Sequence, residues 1–178
     1  MDTKLDIRRE VRTRIKLMDS EAMQSAAERI FSHIEQLEIF SRCECIALFA
    51  AMKDEVPTTM ALARWRQLGK RIVVPRVEGD IMRFYDYDPI QMATGAFGIE
   101  EPIGDDECNP ADIDLIIVPA RAFTTSGIRL GRGGGFYDKY MSLPTFRAVK
   151  VGIAFECQIF NTLPHDSHDI LVDKVIFA

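Results

Sequence analysis

Hydrophobic residues near the start of the chain recur at the spacing of an α-helix. Residues 4–17 contain one apolar stripe, in which each member follows the last by four positions. The stripe consists of Ile7, Val11 and Ile15. Asp19-Ser20 then form a helix-start signal, and apolar residues continue at helical spacing as far as Leu37. We therefore predict two amphipathic helices, each packing one face against a core.

From Cys45 onward the pattern changes to short runs that are apolar throughout. The runs occupy residues 45–51, 71–75, 115–119 and 149–155. Such runs are typical of parallel strands that are buried on both faces. A helix that starts at residues 57–59 and ends before Gly69 separates the first two runs, and residues 82–87 alternate as an additional strand would. The pattern predicts an α/β protein, a three-layer α/β/α sandwich with a mostly parallel sheet.

Length and composition favour a single domain over residues 1–178. The chain is 47% hydrophobic and 28% charged, which excludes a disordered adaptor. Its formal net charge is −5, so we expect no nucleic-acid partner. The longest strongly apolar run, residues 45–52, is too short to span a bilayer, and four cysteines are too few for a disulfide framework. We expect a monomeric, cytoplasmic protein with reduced thiols and no membrane partner.

Glycines are concentrated in one segment of the chain. Five of the eleven glycines fall within residues 127–135, although each idle glycine costs about 0.5–1 kcal/mol of folding free energy. The segment lies between the predicted strand at residues 115–119 and a predicted helix at residues 136–141. Bare amides there, together with the guanidinium groups of Arg129 and Arg132, could bind phosphate. The alternative is a tight turn that needs positive φ. Neither the dinucleotide fingerprint nor the P-loop is matched, which argues against hydride transfer and P-loop NTPase chemistry.

A row of basic residues runs beside the apolar stripe of the first predicted helix. Lys4, Arg8 and Arg12 stand four positions apart. One or two of them could reach inward to the glycine segment and add positive charge for an anionic ligand. A solvated helix face is the other interpretation of such a row.

Three carboxylates are candidates for the same site. Asp138 follows the glycine segment directly and Asp173 lies near the C-terminus, and both could be ligands of Mg²⁺. Asp138 could equally be a first-turn residue of a helix, and Asp173 part of a surface turn. Glu55 follows the first predicted strand and could accept hydrogen bonds from an amide- or guanidine-like ligand, or could simply precede the next helix.

Two histidines, in the spacing His165-x-x-His168, loosely fit a zinc motif. No pattern places a third ligand beside them, so a polar loop is the favoured interpretation. Neither a nucleophile elbow nor a Cys/His signature is present in the sequence, and covalent catalysis is not indicated.

The glycine segment resembles the signature of a known enzyme family. Residues 127–138 read Gly-Ile-Arg-Leu-Gly-Arg-Gly-Gly-Gly-Phe-Tyr-Asp, which is similar to the motif of the 5-formyltetrahydrofolate cyclo-ligases. Further segments resemble that family in the same order along nearly the whole chain: Lys4-x-x-x-Arg8, residues 50–55, 97–102, 114–119 and 122–123, and His168-Asp169-x-x-x-Asp173. The fold of the family is related to sugar-phosphate isomerases and CoA transferases, which agrees with the predicted sandwich.

The resemblance implies an ATP- and Mg²⁺-dependent cyclisation of 5-formyltetrahydrofolate, free or polyglutamylated, to 5,10-methenyltetrahydrofolate with release of ADP and phosphate. It implies that ATP is bound by Lys4, Arg8, Arg129, Leu130, Gly131, Arg132, Gly133, Gly134, Gly135, Phe136 and Tyr137. It implies folate contacts from Ala50, Glu55, Phe97, Arg132, Gly133, Gly134, Gly135 and Phe136. Arg132 is then the expected catalytic residue, and Asp138 and Asp173 are the expected ligands of Mg²⁺.

The sequence departs from the family pattern at Pro57, at Ala120-Arg121 and in its last residues, Val-Ile-Phe-Ala. Arg121 stands where the family usually has a small apolar residue. Two other hypotheses are a non-catalytic folate- or nucleotide-binding regulator on the same scaffold and an isomerase of a sugar phosphate. The two candidate magnesium carboxylates favour the cyclo-ligase over the isomerase.

Overall fold

The computed structural model of the protein describes residues 2–178. Its α-helices are α1 (Lys4–Lys16), α2 (Ser20–Glu35), α3 (Glu38–Arg42), α4 (Thr59–Gln67) and α5 (Phe136–Met141). Its strands are β1 (Cys45–Ala47), β2 (Arg71–Glu78), β3 (Ile81–Asp86), β4 (Met92–Thr94), β5 (Glu100–Pro102), β6 (Leu115–Val118), β7 (Ala122–Phe123), β8 (Arg129–Leu130), β9 (Val149–Ala154) and β10 (Lys174–Phe177). Within this range, none of the helices combines the length and the hydrophobicity that a membrane span requires.

The central sheet is mostly parallel, as the apolar runs predict. Its strand order is β10-β9-β6-β1-β2-β3, and only β2 and β3 pair in antiparallel fashion. The register places Ile46 of β1 beside Ile72 of β2 and Leu115 of β6. Because the parallel strands run in one direction, their carboxyl ends share one edge of the sheet, where ligands of open α/β sheets generally bind.

Capping residues mark the start of both N-terminal helices. The hydroxyl of Thr3 accepts a hydrogen bond from the Asp6 amide, and the Asp6 carboxylate accepts one from the Thr3 amide. The side chain of Asp19 caps α2 by accepting a hydrogen bond from the Ala22 amide at 2.7 Å. Ile7, Val11 and Ile15 are buried, so the predicted apolar stripe of α1 is confirmed.

Helices cover both faces of the sheet, and the predicted three-layer sandwich is confirmed. On one face, α1, α2, α3 and α4 pack over a core that includes the fully buried Trp65, whose ring meets Phe31 edge-on at 5.4 Å between centroids. On the other face, α5 packs with its Tyr140 ring 4.8 Å from that of Phe84. This second layer is thinner, because α5 has six residues and loops complete it.

Three details differ from the sequence prediction. The first strand ends at Ala47 rather than Ala51, because the chain then turns and the hydroxyl of Thr58 accepts the Ala51 amide at 3.0 Å. The edge strand β10 is absent from the prediction, because only one of its four residues, Ile176, has a buried side chain and no period-two pattern is evident. The ribbons β4-β5 and β7-β8 have strands of two or three residues, which are too short for a periodic signal.

Gly127 serves the fold rather than a ligand. It lies in the turn between β7 and β8 at φ +99°, and a Cβ there would collide with the carbonyl oxygen of Val172. Its own carbonyl accepts the Val172 amide at 3.0 Å, which holds the two backbones together. The alternative interpretation of the glycine segment, a turn that needs positive φ, is therefore correct for this one member.

Gly127→Ala is expected to lower the free energy of unfolding by about 2–4 kcal/mol, because the new methyl group must displace a hydrogen-bonded backbone. Chemical denaturation measures the loss. Gly79→Ala is the matched control, since Gly79 also has positive φ, +67°, but open space around the added carbon. We expect Gly79→Ala to lower the free energy of unfolding by about 1 kcal/mol. Equal losses in the two variants would contradict the steric explanation.

Candidate functional site

A cleft of about 880 Å³ opens at the carboxyl edge of the sheet. Its walls come from α1, the segments that follow β1 and β6, strands β2 and β3, the β4-β5 hairpin, the glycine segment with α5, and the loop after residue 163. The cleft is lined by nearly all of the residues that the sequence predicts for a site: Lys4, Arg8, Ala50, Glu55, Phe97, Arg129, Leu130, Gly131, Arg132, Gly133, Gly134, Gly135, Phe136, Tyr137 and Asp138. Asp173 is not among the lining residues.

The glycine loop, residues 131–135, presents bare backbone to the cleft. Gly133 and Gly135 adopt φ values of +114° and +72°, which residues with a Cβ rarely adopt. Gly133, Gly134 and Gly135 are exposed. Gly135 is also the N-cap of α5, so the loop turns directly into that helix. Amides without flanking side chains can converge on the oxygens of an anion.

Two members of the basic row reach this loop from α1. Arg8 donates from Nε to the carbonyl oxygen of Gly131 at 2.8 Å. Lys4 Nζ lies 2.7 Å from a carboxylate oxygen of Asp166 and 3.8 Å from one of Asp169. The hydrogen bond to Asp166 raises the pKa of Lys4 above its ordinary value. Arg12 is exposed and is not a lining residue, so the solvated-face interpretation holds for it alone.

The side chain of Arg129 is buried and contacts other residues of the protein. It is 7% exposed, donates from Nε to the Pro119 carbonyl at 3.1 Å and lies with Nη1 3.6 Å from an Asp138 oxygen. Its guanidinium also stacks on the Tyr137 ring at 5.3 Å. These contacts hold the stem of the glycine loop against the start of α5. Arg129 therefore reinforces the loop, whereas the more exposed Arg132 is the guanidinium that can reach a ligand.

Arg132 is held by two carboxylates that follow β1. Its Nη2 lies 2.7 Å from Asp54 Oδ1 and 3.7 Å from Glu55 Oε2. The second oxygen of Asp54 accepts a hydrogen bond from Arg121 Nη1 at 2.5 Å. Burial raises the pKa of Asp54, but the hydrogen bonds from Arg132 and Arg121 outweigh it and leave that pKa below its ordinary value. Neither Asp54 nor Arg121 is among the residues that the sequence predicts for the site.

Glu55 has one oxygen committed to the backbone and one beside the cleft. Its Oε1 accepts the Met52 amide at 2.8 Å, and its side chain is only 11% exposed. Burial raises the pKa of Glu55, and the hydrogen bond from Met52 only partly offsets this effect. A carboxylate in such a place can accept hydrogen bonds from a ligand that brings its own N–H groups.

Glu55→Gln is expected to stabilise the folded protein near neutral pH. A carboxyl group whose pKa is raised by folding opposes folding once it ionises, so its cost grows as pH rises above the unfolded value of 4.5. The advantage of the variant should therefore appear between that value and neutrality and vanish in acid. Thermal unfolding of both proteins across this pH range measures it, with Glu28→Gln on the exposed face of α2 as control. A difference that does not vary with pH would contradict the assignment.

An aromatic pair forms the apolar side of the cleft. The rings of Phe97 and Phe136 lie 6.3 Å apart at 60°. Phe97 is 69% exposed and adopts φ +62°, which is an unfavourable backbone conformation for a residue with a Cβ. The two rings offer a surface on which a flat heteroaromatic ligand can pack.

The two predicted magnesium ligands are not brought together. Asp138 lines the cleft, but its oxygens accept the Ile170 amide at 3.0 Å and face Arg129. Asp173 accepts the Lys150 amide at 2.8 Å and pairs with the Lys150 ammonium group. Asp173 directly precedes β10, which runs parallel to β9. It therefore lies at the amino edge of the sheet, opposite the edge that carries the cleft, and these two carboxylates do not form a shared metal site.

A different set of polar residues lines the cleft beside Lys4. Ligand atoms of Asp166, His168 and Asp169 lie within 4.8 Å of one another. The sequence pattern favours a polar loop for this segment, and only the resemblance to the family points to His168-Asp169. The loop reaches the cleft because Ile170 is hydrogen-bonded to Asp138 at the start of α5.

Comparisons with known proteins agree with one another. Residues 1–178 match the model of the 5-formyltetrahydrofolate cyclo-ligase family. The 5-formyltetrahydrofolate cyclo-ligase of Escherichia coli K12 is 26% identical over 174 residues, covering 93% of this chain and 95% of its own. The probable 5-formyltetrahydrofolate cyclo-ligase of Schizosaccharomyces pombe is 31% identical, covering 86% of this chain and 84% of its own. The NMR structure of Aquifex aeolicus 5,10-methenyltetrahydrofolate synthetase superimposes with a TM-score of 0.86 at 34% identity, covering 98% of this chain and 89% of that one.

Proposed function

This chain belongs to the 5-formyltetrahydrofolate cyclo-ligase family, and on that premise we propose that it closes 5-formyltetrahydrofolate to 5,10-methenyltetrahydrofolate at the expense of ATP. The observation that supports this most strongly is the composition of one cleft. A cationic, glycine-lined end suited to phosphates adjoins an aromatic wall and a buried carboxylate suited to a pterin. One cavity can then hold both substrates with their reacting groups in contact.

The proposed reaction has two steps and uses no protein nucleophile. The formyl oxygen attacks the γ-phosphorus of ATP, ADP leaves, and the formyl carbon becomes activated as a phosphorylated iminium. N10 of the folate then attacks that carbon and closes the ring, the N10 proton passes to solvent or to the leaving phosphate, and phosphate departs as the carbon–oxygen bond breaks. Phosphoryl transfer of this kind depends mainly on positioning and charge neutralisation.

The residues of the cleft divide between the two substrates in this proposal. Arg132 neutralises charge on the transferred phosphoryl group and is the catalytic residue. Lys4, Arg8 and the bare amides of the glycine loop bind the nucleotide phosphates. Glu55 accepts N–H groups of the pterin, which packs against Phe97 and Phe136.

Magnesium does not fit the pair of carboxylates expected to hold it, because Asp173 lies at the other edge of the sheet. Mg²⁺ commonly keeps most of its contacts to phosphate oxygens and water, and its chemistry here would be to offset the negative charge of ATP.

The test is a direct assay with 5-formyltetrahydrofolate and MgATP. We expect the near-ultraviolet absorbance of the methenyl product to rise only when ATP is present, with ADP released in equal amount. Folded protein that gives no absorbance change would overturn the proposal. Thermal stabilisation by both ligands without ADP release would instead identify a binding protein without catalysis.

A further inference from the structure

Arg121 is a buried charged residue immediately behind the cleft wall. Its side chain is 4% exposed, while its neighbours Pro119 and Ala120 line the cleft. Its backbone is fixed at both ends, because its amide donates to the Leu130 carbonyl at 2.8 Å and its carbonyl accepts Gln158 Nε2 at 3.1 Å. The Cα atom of Arg121 is therefore held beside β8, the strand that leads into the glycine loop.

Among the residues that the structure describes, the guanidinium of Arg121 has one anionic contact, Asp54. Nη1 donates to Asp54 Oδ2 at 2.5 Å, and within residues 2–178 the buried Nη2 has no hydrogen-bond partner. A buried ion pair is generally no more stabilising than apolar side chains of the same volume. Stability alone therefore does not account for a charge at this position.

Asp54 accepts hydrogen bonds from two guanidinium groups that differ in their exposure to solvent. Arg121 is buried and fixed, whereas Arg132 is 39% exposed and extends from the glycine loop. Each takes a different oxygen of the carboxylate. When an anionic ligand draws Arg132 away, Asp54 keeps one counter-charge and is not left as an unpaired, partly buried carboxylate.

We propose that Arg121 is a positioning residue that compensates the charge of Asp54 and so allows Arg132 to move from Asp54 to the phosphates of the nucleotide. This inference rests on the proposed function, because it takes Arg132 as a nucleotide contact. Without Arg121, Asp54 would hold Arg132 as its sole guanidinium partner, and its uncompensated charge would also repel phosphate. Removing the Asp54 carboxylate as well should then restore the affinity for nucleotide.

The experiment measures binding of the β,γ-imido analogue of ATP, with Mg²⁺, by calorimetry. We expect Arg121→Met to weaken binding by about tenfold. Adding Asp54→Asn to Arg121→Met should restore the affinity to within about threefold of the original protein, because nothing then retains Arg132. Arg147→Met, which removes an exposed arginine outside the cleft, should leave the affinity unchanged. Rescue by a second substitution separates this role from a structural one, for which the two losses would add.

Two further variants keep the proposal testable if Arg121→Met does not fold. Arg121→Lys retains a positive charge and should bind with intermediate affinity, and Asp54→Asn alone should bind at least as tightly as the original protein. Weaker binding by Asp54→Asn, or a double variant no better than Arg121→Met, would overturn the inference while leaving the proposed function intact. If the original protein did not bind the analogue at all, the proposed function itself would fail, and the inference with it.

Discussion

Replacing Arg132 by alanine is expected to lower kcat by about 10³-fold, because the transferred phosphoryl group loses the guanidinium that neutralises it. The protein should remain folded. Arg132 is 39% exposed and its ion pair with Asp54 is largely solvent-screened, so a shift of Tm beyond about 2 °C is not expected. Steady-state kinetics of methenyl formation at saturating MgATP, with circular dichroism of the same sample, measures both effects.

Arg147→Ala is the matched control for that experiment, since it removes an exposed arginine that lies outside the cleft. Its kcat should equal that of the original protein. Nucleotide should still bind to Arg132→Ala through Lys4, Arg8 and the glycine loop, so the KM for ATP should rise far less than kcat falls. If kcat stayed within about threefold of the original value, Arg132 would not have the role of phosphoryl stabiliser.

Glu55→Gln is expected to lower kcat/KM for 5-formyltetrahydrofolate by about 10²-fold. The substitution keeps the shape of the side chain but places an amide N–H₂ where the pterin also presents donors. A buried donor left facing another donor loses its hydrogen bond and is not resolvated. Initial rates at varied folate concentration and saturating MgATP provide the measurement.

The same variant should leave the affinity for nucleotide nearly unchanged, because Glu55 contacts Arg132 only at 3.7 Å. Glu28→Gln, on the exposed face of α2, controls for the loss of one negative charge. A Glu55→Gln variant with an unchanged folate KM and a raised ATP KM would reassign Glu55 to the nucleotide end of the cleft. Together with Arg132→Ala, the variant therefore tests the division of the cleft into two ends.

Much of the fold follows from local patterns in the sequence. The apolar stripe of α1 and the runs that became β1, β2, β6 and β9 predict which faces are buried, because burial imposes the period of each element directly on its residues. The glycine loop can also be recognised from the sequence. Several glycines within a few residues reduce the folding free energy, so they are expected only where bare backbone is needed. Its identification with a particular chemistry required the long motif, which resembles one family.

The tertiary structure decided which distant residues meet. Asp173 is part of a segment that resembles the family, but the direction of β10 places it at the edge away from the cleft. Arg121 and Asp54 are 67 positions apart and became partners because β1 and β6 are neighbours in the sheet. Strand order and direction are set by the packing of the whole chain, and a local pattern of polar and apolar residues does not encode them. The sequence by itself therefore determined the layers and the glycine loop, whereas the charge network around Arg132 depends on the assembled sheet.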